Sequence, residues 1–383
     1  MIERIVICRS NPVAPDPRVE KTARALTKAG FAVTILAWDR TGEPFEQPDL
    51  PGIAFERLQI TGQYGSGMQN LKPLLRWQQA LLRWLWKHRR DYTAIHACDF
   101  DTVLPAMLMK WFASKVVVYD IFDFYTDHVR LRSRWIRGAL RWVDHQIIRT
   151  ADAIILVDEI RRSQLEGTHP KRLEIIYNTP EDQVSTLPVE DHGSEISLRI
   201  AYIGMIQEDR GIQHLISLLP RHPGWHVDLA GFGGDEDIIL QEVHSHANLT
   251  WHNRIPYQTA IELSARSDVL LATYDPAVPN NRLASPNKVF EAMMLSKPVI
   301  VAEGTGIDIL VRTNKTGIVV PFGNLAKLEE GLVQLSQDRL LREALGSNGR
   351  RLYEMRYSWK QMQARLSTLY LGLLNGSGNE GRQ

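Results

Sequence analysis

The chain has 383 residues, 44% of them hydrophobic and 23% charged, and a formal net charge of +1. That length exceeds what one hydrophobic core ordinarily serves, so two domains are expected, and the near-neutral charge gives no global reason for nucleic-acid binding. The two cysteines, Cys8 and Cys98, lie in strand-like apolar runs without metal-ligand spacing, which suits a reducing cytosol.

The apolar part of the N-terminal MIERIVICRSNP is too short for a signal peptide, and no run of about 18 apolar residues marks a membrane span. A soluble, cytoplasmic protein is therefore expected. RIVICRS (4–10) reads as a buried strand, PRVEKTARALTKAGF (17–31) as an amphipathic helix stopped at Gly30, and AVTILAW (32–38) as the next strand. Asp16 before Pro17 is a good helix start, because aspartate caps free amides and proline suits the first helical position. Strand, helix and strand in so short a span is a βαβ unit, which closes into a parallel sheet. Further strands are expected at AIHAC (94–98), KVVVYDI (115–121) and AIILV (153–157).

Residues 181–197 are polar, without a periodic apolar stripe, and read as an interdomain linker. The alternation then restarts with LRIAYIG (198–204), a helix near 211–219, WHVDLAG (225–231), LTWHNRI (249–255) and DVLLATY (268–274), followed by the helix and strand in SPNKVFEAMMLSKPVIVA (285–302). The fold class is α/β, with two doubly wound Rossmann-like domains. Ligands of such sheets bind at the carboxyl ends of the strands, so the cleft where the domains face each other is the expected site. A helix over 358–374 and a disordered tail over 375–383 complete the chain.

In SPNKVFEAM, Ser285 is a candidate cap and Pro286 a candidate first residue, which sets Lys288 about one turn into a helix. A cation there opposes the helix dipole. Either a Lys288–Glu291 pair offsets this weakly, or an anion docks at the helix N-terminus with the lysine pointing at it. Two glycine loops in the same half bear on the choice. YIGMIQEDRGI (202–212) sets Gly204 at a strand end and Arg210–Gly211 at a helix start, while AGFGGDE (230–236) ends the next strand with three glycines. Glycine permits close backbone approach, and a guanidinium can clamp a diphosphate.

The order YIG…RG, LAGFGG, NRIPY, SPNKVFEAM…KPVI, KTGIVVPFGN resembles the donor domain of retaining glycosyltransferases of family 4, which have the GT-B fold. PDPRVEKTARALTKAGFAVTILAW and YDIFDFY resemble the acceptor domain of that family. The resemblance implies an acceptor-binding domain over 1–185, a nucleotide-sugar donor domain over 186–357, and a terminal helix over 358–374 crossing back to the first domain. It implies Glu291 on the ribose hydroxyls and Arg210 on the diphosphate, where the family usually has a lysine. Gly204, Gly211, Gly231 and Gly233 would border the donor, Asn287 and Lys288 would lie beside its phosphates, and the backbone of Arg254, Ile255 and Pro256 would meet the base.

Three positions depart from the family pattern. Leu283 stands where the first glutamate of E-x7-E is expected, Met205 replaces an arginine, and Phe122 in Asp120-Ile121-Phe122-Asp123 replaces a histidine. Lys288 is then the candidate second phosphate cation, and Asp275, Asn280 and Asn281 are candidates for gripping the sugar. In the front-face mechanism that the family implies, the protein needs no nucleophile of its own. It aligns donor and acceptor and stabilises the charge growing on the leaving diphosphate. Arg210 and Lys288 are the candidate catalytic cations and Asp123 the candidate for orienting an acceptor hydroxyl, with Arg18 and Asp99 also on the acceptor side.

His96 and His128 read as packing or surface residues. Asp99–Asp101 mimics a metal-binding D-x-D but follows a strand of the acceptor domain, so no metal or other cofactor is expected. A nucleotide-sugar 2-epimerase and a nucleotide-sugar-binding pseudoenzyme remain alternatives. The expected acceptor is a glycan, a lipid-linked molecule or a small molecule, within cell-surface polysaccharide or glycoconjugate synthesis. KPLLRWQQALLRWLWKHRR (72–90) and RLRSRWIRGALRW (130–142) are basic and aromatic. Trp77 and Trp84, seven apart, would share one face of a helix that either covers the sheet or lies on anionic lipid at the inner face of a membrane.

Overall fold

The computed structural model describes residues 2–42, 49–62, 71–124, 134–186 and 196–376. Two compact units emerge, one of Met1–Asn178 with Met362–Gln383 and one of Thr179–Gln361. The resemblance implies a junction after residue 185, whereas the chain parts after Asn178. Residues beyond that point are tied into the second unit. The Tyr353 hydroxyl donates to the Pro180 carbonyl at 2.8 Å, and Arg350 pairs with Asp182 at 2.6 Å.

In the first unit the order is β1 (Arg4–Arg9), α1 (Pro17–Lys28), β2 (Ala32–Asp39), β3 (Ala54–Gln59), α2 (Leu71–Lys87), β4 (Ala94–Cys98) and α3 (Phe100–Ala113). It continues with β5 (Val116–Ile121), α4 (Arg134–Thr150), β6 (Ala153–Leu156) and β7 (Leu173–Ile175). The strands form one sheet in the order β3-β2-β1-β4-β5-β6-β7, parallel at every pairing. Helices cover both faces of such a sheet, which is why β1 and β4 read as largely apolar runs. Cys8 and Cys98 are fully buried there as free thiols, and burial pushes both thiols far above the usual range. Asp16 caps α1, its carboxylate accepting from the Val19 amide at 3.3 Å, with Pro17 in the first turn.

The second unit runs β8 (Leu198–Met205), α5 (Ile212–Ile216), β9 (Trp225–Phe232), α6 (Glu236–Val243), β10 (Leu249–Trp251), α7 (Tyr257–Arg266) and β11 (Val269–Ala272). Then come α8 (Asn287–Met294), β12 (Val299–Ala302), α9 (Ile307–Asn314), β13 (Gly317–Val320), α10 (Leu325–Gln337) and α11 (Arg339–Leu352). Its sheet has the order β10-β9-β8-β11-β12-β13, again parallel throughout. Its core gathers Leu198, Tyr202, Leu229, Leu271, Ile300 and Leu332, all fully buried.

The last helix, α12 (Trp359–Gly376), joins the first unit from Met362 onward. Its Tyr370 is fully buried, bonds to His96 at 2.8 Å and packs on Phe31. His128, linker residues 187–195 and most of the expected tail lie outside the described residues.

Candidate active site

Each sheet reverses its strand order once, between β1 and β4 in the first unit and between β8 and β11 in the second. The crevice beyond the strand ends at such a point is where doubly wound sheets take ligands.

At the second switch point β8 and β9 end in glycines that face each other in register, Gly204 opposite Gly231. A Cβ on Gly231 would stand 1.7 Å from the Gly204 carbonyl oxygen, and one on Gly233 would stand 2.4 Å from that of Ile206. Gly204 has φ +152° and Gly231 φ +148°. These glycines let two strand ends approach closely. A Cβ on Gly204 would lie 2.9 Å from the Lys288 ammonium.

Lys288 therefore reaches from the first turn of α8 across to the end of β8. Its ammonium sits 3.7 Å from the ring centre of Tyr202 and 5.6 Å from that of Tyr274, and the residue is only 6% exposed. Arg210 lies over Tyr274 as well, its guanidinium 4.4 Å from the ring centre. Burial, and then the nearby Arg210, drive the Lys288 pKa down to about 7, against the opposing pull of Glu291. Cation–π contact with two rings stabilises the ammonium only in part. Arg210 is paired with Asp209 at 3.5 Å, so the cation whose charge this site disfavours is Lys288.

Glu291, one turn along α8, is buried and accepts a hydrogen bond from the Tyr257 hydroxyl at 3.2 Å. Tyr257 opens α7 directly after Arg254, Ile255 and Pro256, so this bond brings the loop and the carboxylate together. The Gly231 amide donates to the Asn253 carbonyl at 2.9 Å, and Arg254 lies 4.8 Å from the exposed Phe232 ring. Gly211 adopts φ +69°, and the Thr273 hydroxyl donates to the Arg210 carbonyl at 2.6 Å. Asn287 is exposed at the start of α8. Gly204, Arg210, Gly211, Gly231, Gly233, Lys288 and Glu291 all lie at the carboxyl ends of the second unit's strands, as does the 254–256 loop.

Ser285 does not cap α8. Pro286 occupies the cap position with no side-chain bond, and the Ser285 hydroxyl is buried without a partner. Asn281 is not free to grip a sugar either. Its amide nitrogen donates to Asp209 at 2.8 Å and to the Asp275 carbonyl at 3.0 Å, while its oxygen accepts from Arg210 at 3.0 Å. It positions the arginine. The Asp275 carboxylate accepts from the Ala277 amide at 2.8 Å, and Met205 is 44% exposed.

At the first switch point the arginines are paired with carboxylates. Arg9, closing β1, donates to Asp16 at 2.8 Å and to Asp99, which follows β4. Asp99 has φ +64°, and its other oxygen accepts from the Phe122 amide at 2.8 Å and more weakly from Asp123. Burial raises the Asp99 pKa to about 7, although Arg9 opposes the shift. With its oxygens engaged in this way, Asp99 is a brace across β1, β4 and β5.

Arg18, an expected acceptor-side residue, is buried and paired within the first unit. It forks onto Asp120 at 2.7 and 3.2 Å and donates to the Ile176 carbonyl at 2.7 Å. His96 also bonds to Asp120, at 3.2 Å. Burial lifts the Asp120 carboxyl, but Arg18 and His96 outweigh it and the net shift is downward. Phe122, at the position of the family histidine, is flanked by Arg9 at 4.2 Å and Arg18 at 4.8 Å from its ring centre. Asp123 is partly exposed and held by Arg161 at 2.8 Å, so it is oriented but already paired. Sequence reasoning missed Arg9, Arg161, Tyr202, Tyr257 and Tyr274. Tyr202, two residues before Gly204, is the one with a local signal.

Two family models match the chain: residues 14–179 match one described as a glycosyl transferase 4-like domain, and residues 191–352 one described as glycosyl transferases group 1. The capsular polysaccharide biosynthesis glycosyltransferase CapM of Staphylococcus aureus is 27% identical over 187 residues, 44% of this chain and 46% of that protein. The alpha-D-kanosaminyltransferase of Streptomyces kanamyceticus is 22% identical over 331 residues, 77% of this chain and 82% of that protein. Matches to several curated relatives, CapM among them, span only about half of their length, 46% and 51% in two cases.

Among solved structures, sucrose-phosphate synthase from Thermosynechococcus elongatus superposes with a TM-score of 0.77 at 17% identity, covering 98% of this chain and 100% of that one. HepE from Anabaena in complex with UDP-glucose gives 0.68 at 14% identity, covering 96% and 99%. At such identities the likeness is one of fold.

Proposed function

The chain belongs to the glycosyltransferases, with a 4-like domain followed by a group 1 domain in the GT-B fold, and from that premise we propose that it transfers a sugar from a nucleotide-diphosphate sugar to an acceptor hydroxyl with retention of configuration. The observation that carries this reading is the Lys288–Arg210 pair at the end of β8. Two cations converge over Tyr274 beside bare glycine backbone, and Glu291 lies one turn further on. A diphosphate supplies negative charge beside Lys288, glycine amides admit it closely, and a carboxylate one turn away suits a ribose diol.

In the reaction the bond between the anomeric carbon and the diphosphate oxygen breaks, while the acceptor oxygen bonds to the same face of that carbon. The acceptor proton leaves with the diphosphate. Arg210 and Lys288 stabilise the charge growing on the leaving group without a metal. A uridine nucleotide is the first to try, since the Anabaena neighbour was solved with UDP-glucose.

The acceptor belongs to the first unit in this reading. Asp123, steered by Arg161, orients its hydroxyl, and Asp99 holds the loop in shape. Relatives named for capsular polysaccharide and phosphatidylinositol mannoside synthesis favour a cell-surface glycan or lipid-linked acceptor at the inner face of the membrane, with the protein peripherally attached to anionic lipid. Among the described residues no helix is long and apolar enough to cross a membrane.

A panel of nucleotide sugars incubated with the protein, with released nucleoside diphosphate measured, tests the activity. Proton NMR of the new anomeric centre tests retention. Slow release of one nucleotide without acceptor, and faster release with it, is the expected result. A new sugar nucleotide without release would mean a 2-epimerase. The pairing of Asp123 with Arg161 and the caging of Phe122 between arginines favour a second reading, a nucleotide-sugar-binding protein without turnover. Tight binding with no release would select it.

A further inference from the structure

Helices that cover a Rossmann sheet ordinarily turn polar residues outward. Helices α2, α3 and α4 do not. Each crosses between parallel strands in the same direction along the sheet, so right-handed connections set all three on one face, and α3 packs against both of its neighbours.

On α2 the inward residues are Trp77, Leu81 and Leu85, and Trp77 stacks on Trp38 at 5.2 Å. Trp84 turns to the sheet edge and donates to Glu56 at 2.7 Å. The Trp77–Trp84 face is thus the covered one. The exposed apolar residues are others: Leu71, Leu75 and Trp86, at 56%, 53% and 46% exposure. At roughly 100° per residue these three and Leu82 fall in one stripe along the helix, while Lys72, Arg76, Arg83 and Lys87 fall in the stripe beside it.

Helix α3 repeats the pattern with Leu104, Leu108 and Phe112 at successive fourth positions and Trp111 alongside. Phe112 is 72% exposed and Trp111 60%. Between the two helices runs a groove of about 510 Å³ whose walls are hydrocarbon and aromatic, with Arg83 and Lys87 at its rim. Helix α4 adds Trp135 at 90% and Trp142 at 65% exposure.

The exposed charges carried by these three helices are of one sign, with Glu56 and Asp152 beside them at Trp84 and Lys110. Helix α2 contains no acid, Asp101 lies in the first turn of α3 away from the groove, and Asp144 of α4 is buried against Tyr119. Asp91, beyond the end of α2, pairs with His88 at 3.2 Å. A second copy of the chain, docked through the same face, would bring cation against cation.

We propose that the outer face of α2, α3 and α4 seats on a bilayer containing anionic phospholipid. Trp86, Trp111 and Phe112 sit at the boundary between headgroups and acyl chains, one chain enters the α2–α3 groove, and Arg83 and Lys87 meet lipid phosphate. This rests on the peripheral attachment in the proposed function and locates it. It also moves the contact away from Trp77 and Trp84, the pair that the helix spacing singles out.

The test is sedimentation with vesicles of phosphatidylcholine alone or mixed with phosphatidylglycerol, at low and high salt. Binding to the mixed vesicles is expected, weakened by salt and by Arg83→Glu with Lys87→Glu on the order of tenfold or more. Trp86→Ser with Phe112→Ser should weaken it comparably, while Lys327→Glu in the second unit leaves it unchanged. Acyl chains brominated near the headgroup should quench tryptophan fluorescence, and less so in Trp86→Phe.

Equal binding to both vesicles, no binding by the folded protein, or no loss in the groove variants overturns the proposal. So does a dimer in ultracentrifugation that Phe112→Ser dissociates, which would assign the face to a second copy. UDP binding, measured on the same variants, separates this inference from the transfer reading. These variants should leave it unchanged, whereas loss of nucleotide binding in the parent protein would count against the transfer reading alone.

Discussion

The two switch points have the same backbone plan and opposite electrostatics. Beyond β1 and β4, Arg9 lies between Asp16 and Asp99, and Arg18 is forked onto Asp120. Beyond β8 and β11, Arg210 and Lys288 share one aromatic ring, and burial holds the lysine down to about 7. A crevice whose ions are already paired offers oriented polar groups, which suits a neutral hydroxyl. A crevice in which burial and a neighbouring arginine disfavour the charge of a lysine is completed by an anionic ligand. Under the proposed function the first unit takes the acceptor and the second the diphosphate.

The largest effect expected from breaking this comparison lies in the first unit and concerns stability. Asp120→Ala leaves Arg18 buried without its carboxylate, and loss of one partner of a buried pair typically costs about 3–5 kcal/mol. Urea unfolding should show that loss. A deficit under about 1 kcal/mol would mean that the pair is no brace.

In the second unit the effect falls on turnover. Arg210→Ala and Lys288→Ala should each lower kcat by roughly a hundredfold or more, with little change in nucleoside affinity, because their work is on the leaving diphosphate. Glu291→Ala should instead weaken UDP binding by about 2 kcal/mol, roughly thirtyfold in Kd, in titration calorimetry. Should Lys288→Ala leave turnover intact, the lysine is a core residue and the contrast between the units fails.

Much of the backbone was readable before any coordinates, because its signals are local. Asp16–Pro17 marks the start of α1, and unbroken apolar runs mark β11 and β12. Strand β3, AFERLQ, escaped because it is a partly exposed edge strand whose residues alternate without a strong apolar face. LTWHNRI stops being strand after Trp251 because its remainder turns through Asn253 at φ +57°.

Site residues divide in the same way. Gly204, Gly231 and Lys288 announce themselves by position, whereas the partner of Arg18 lies 102 residues away and that of Asp123 lies 38 away. Side-chain pairing across a parallel sheet leaves no mark in either neighbourhood. Trp77 and Trp86 make the point for the surface. Spacing grouped Trp77 with Trp84, and packing on Trp38 decided that Trp77 turns inward.

A smaller stability effect sharpens the contrast. The Lys288 pKa is lowered to about 7 from 10.5, so the folded protein binds this proton less well than the unfolded chain does. The resulting penalty is fully present below pH 7 and fades as pH rises from about 7 towards 10.5. Lys288→Met should therefore stabilise the ligand-free protein at pH 7 by on the order of 2 kcal/mol, read from denaturant midpoints, and should do so less at higher pH.

The central claim is that a diphosphate completes the charge around Lys288, and proton uptake on binding tests it most directly. UDP should be titrated calorimetrically near pH 8 in two buffers of different ionisation enthalpy. The lysine is mostly neutral there before binding and charged once the diphosphate lies beside it, so uptake approaching one proton per UDP is expected, and none in Lys288→Met. Binding without proton uptake, or the same uptake in Lys288→Met, would contradict the account.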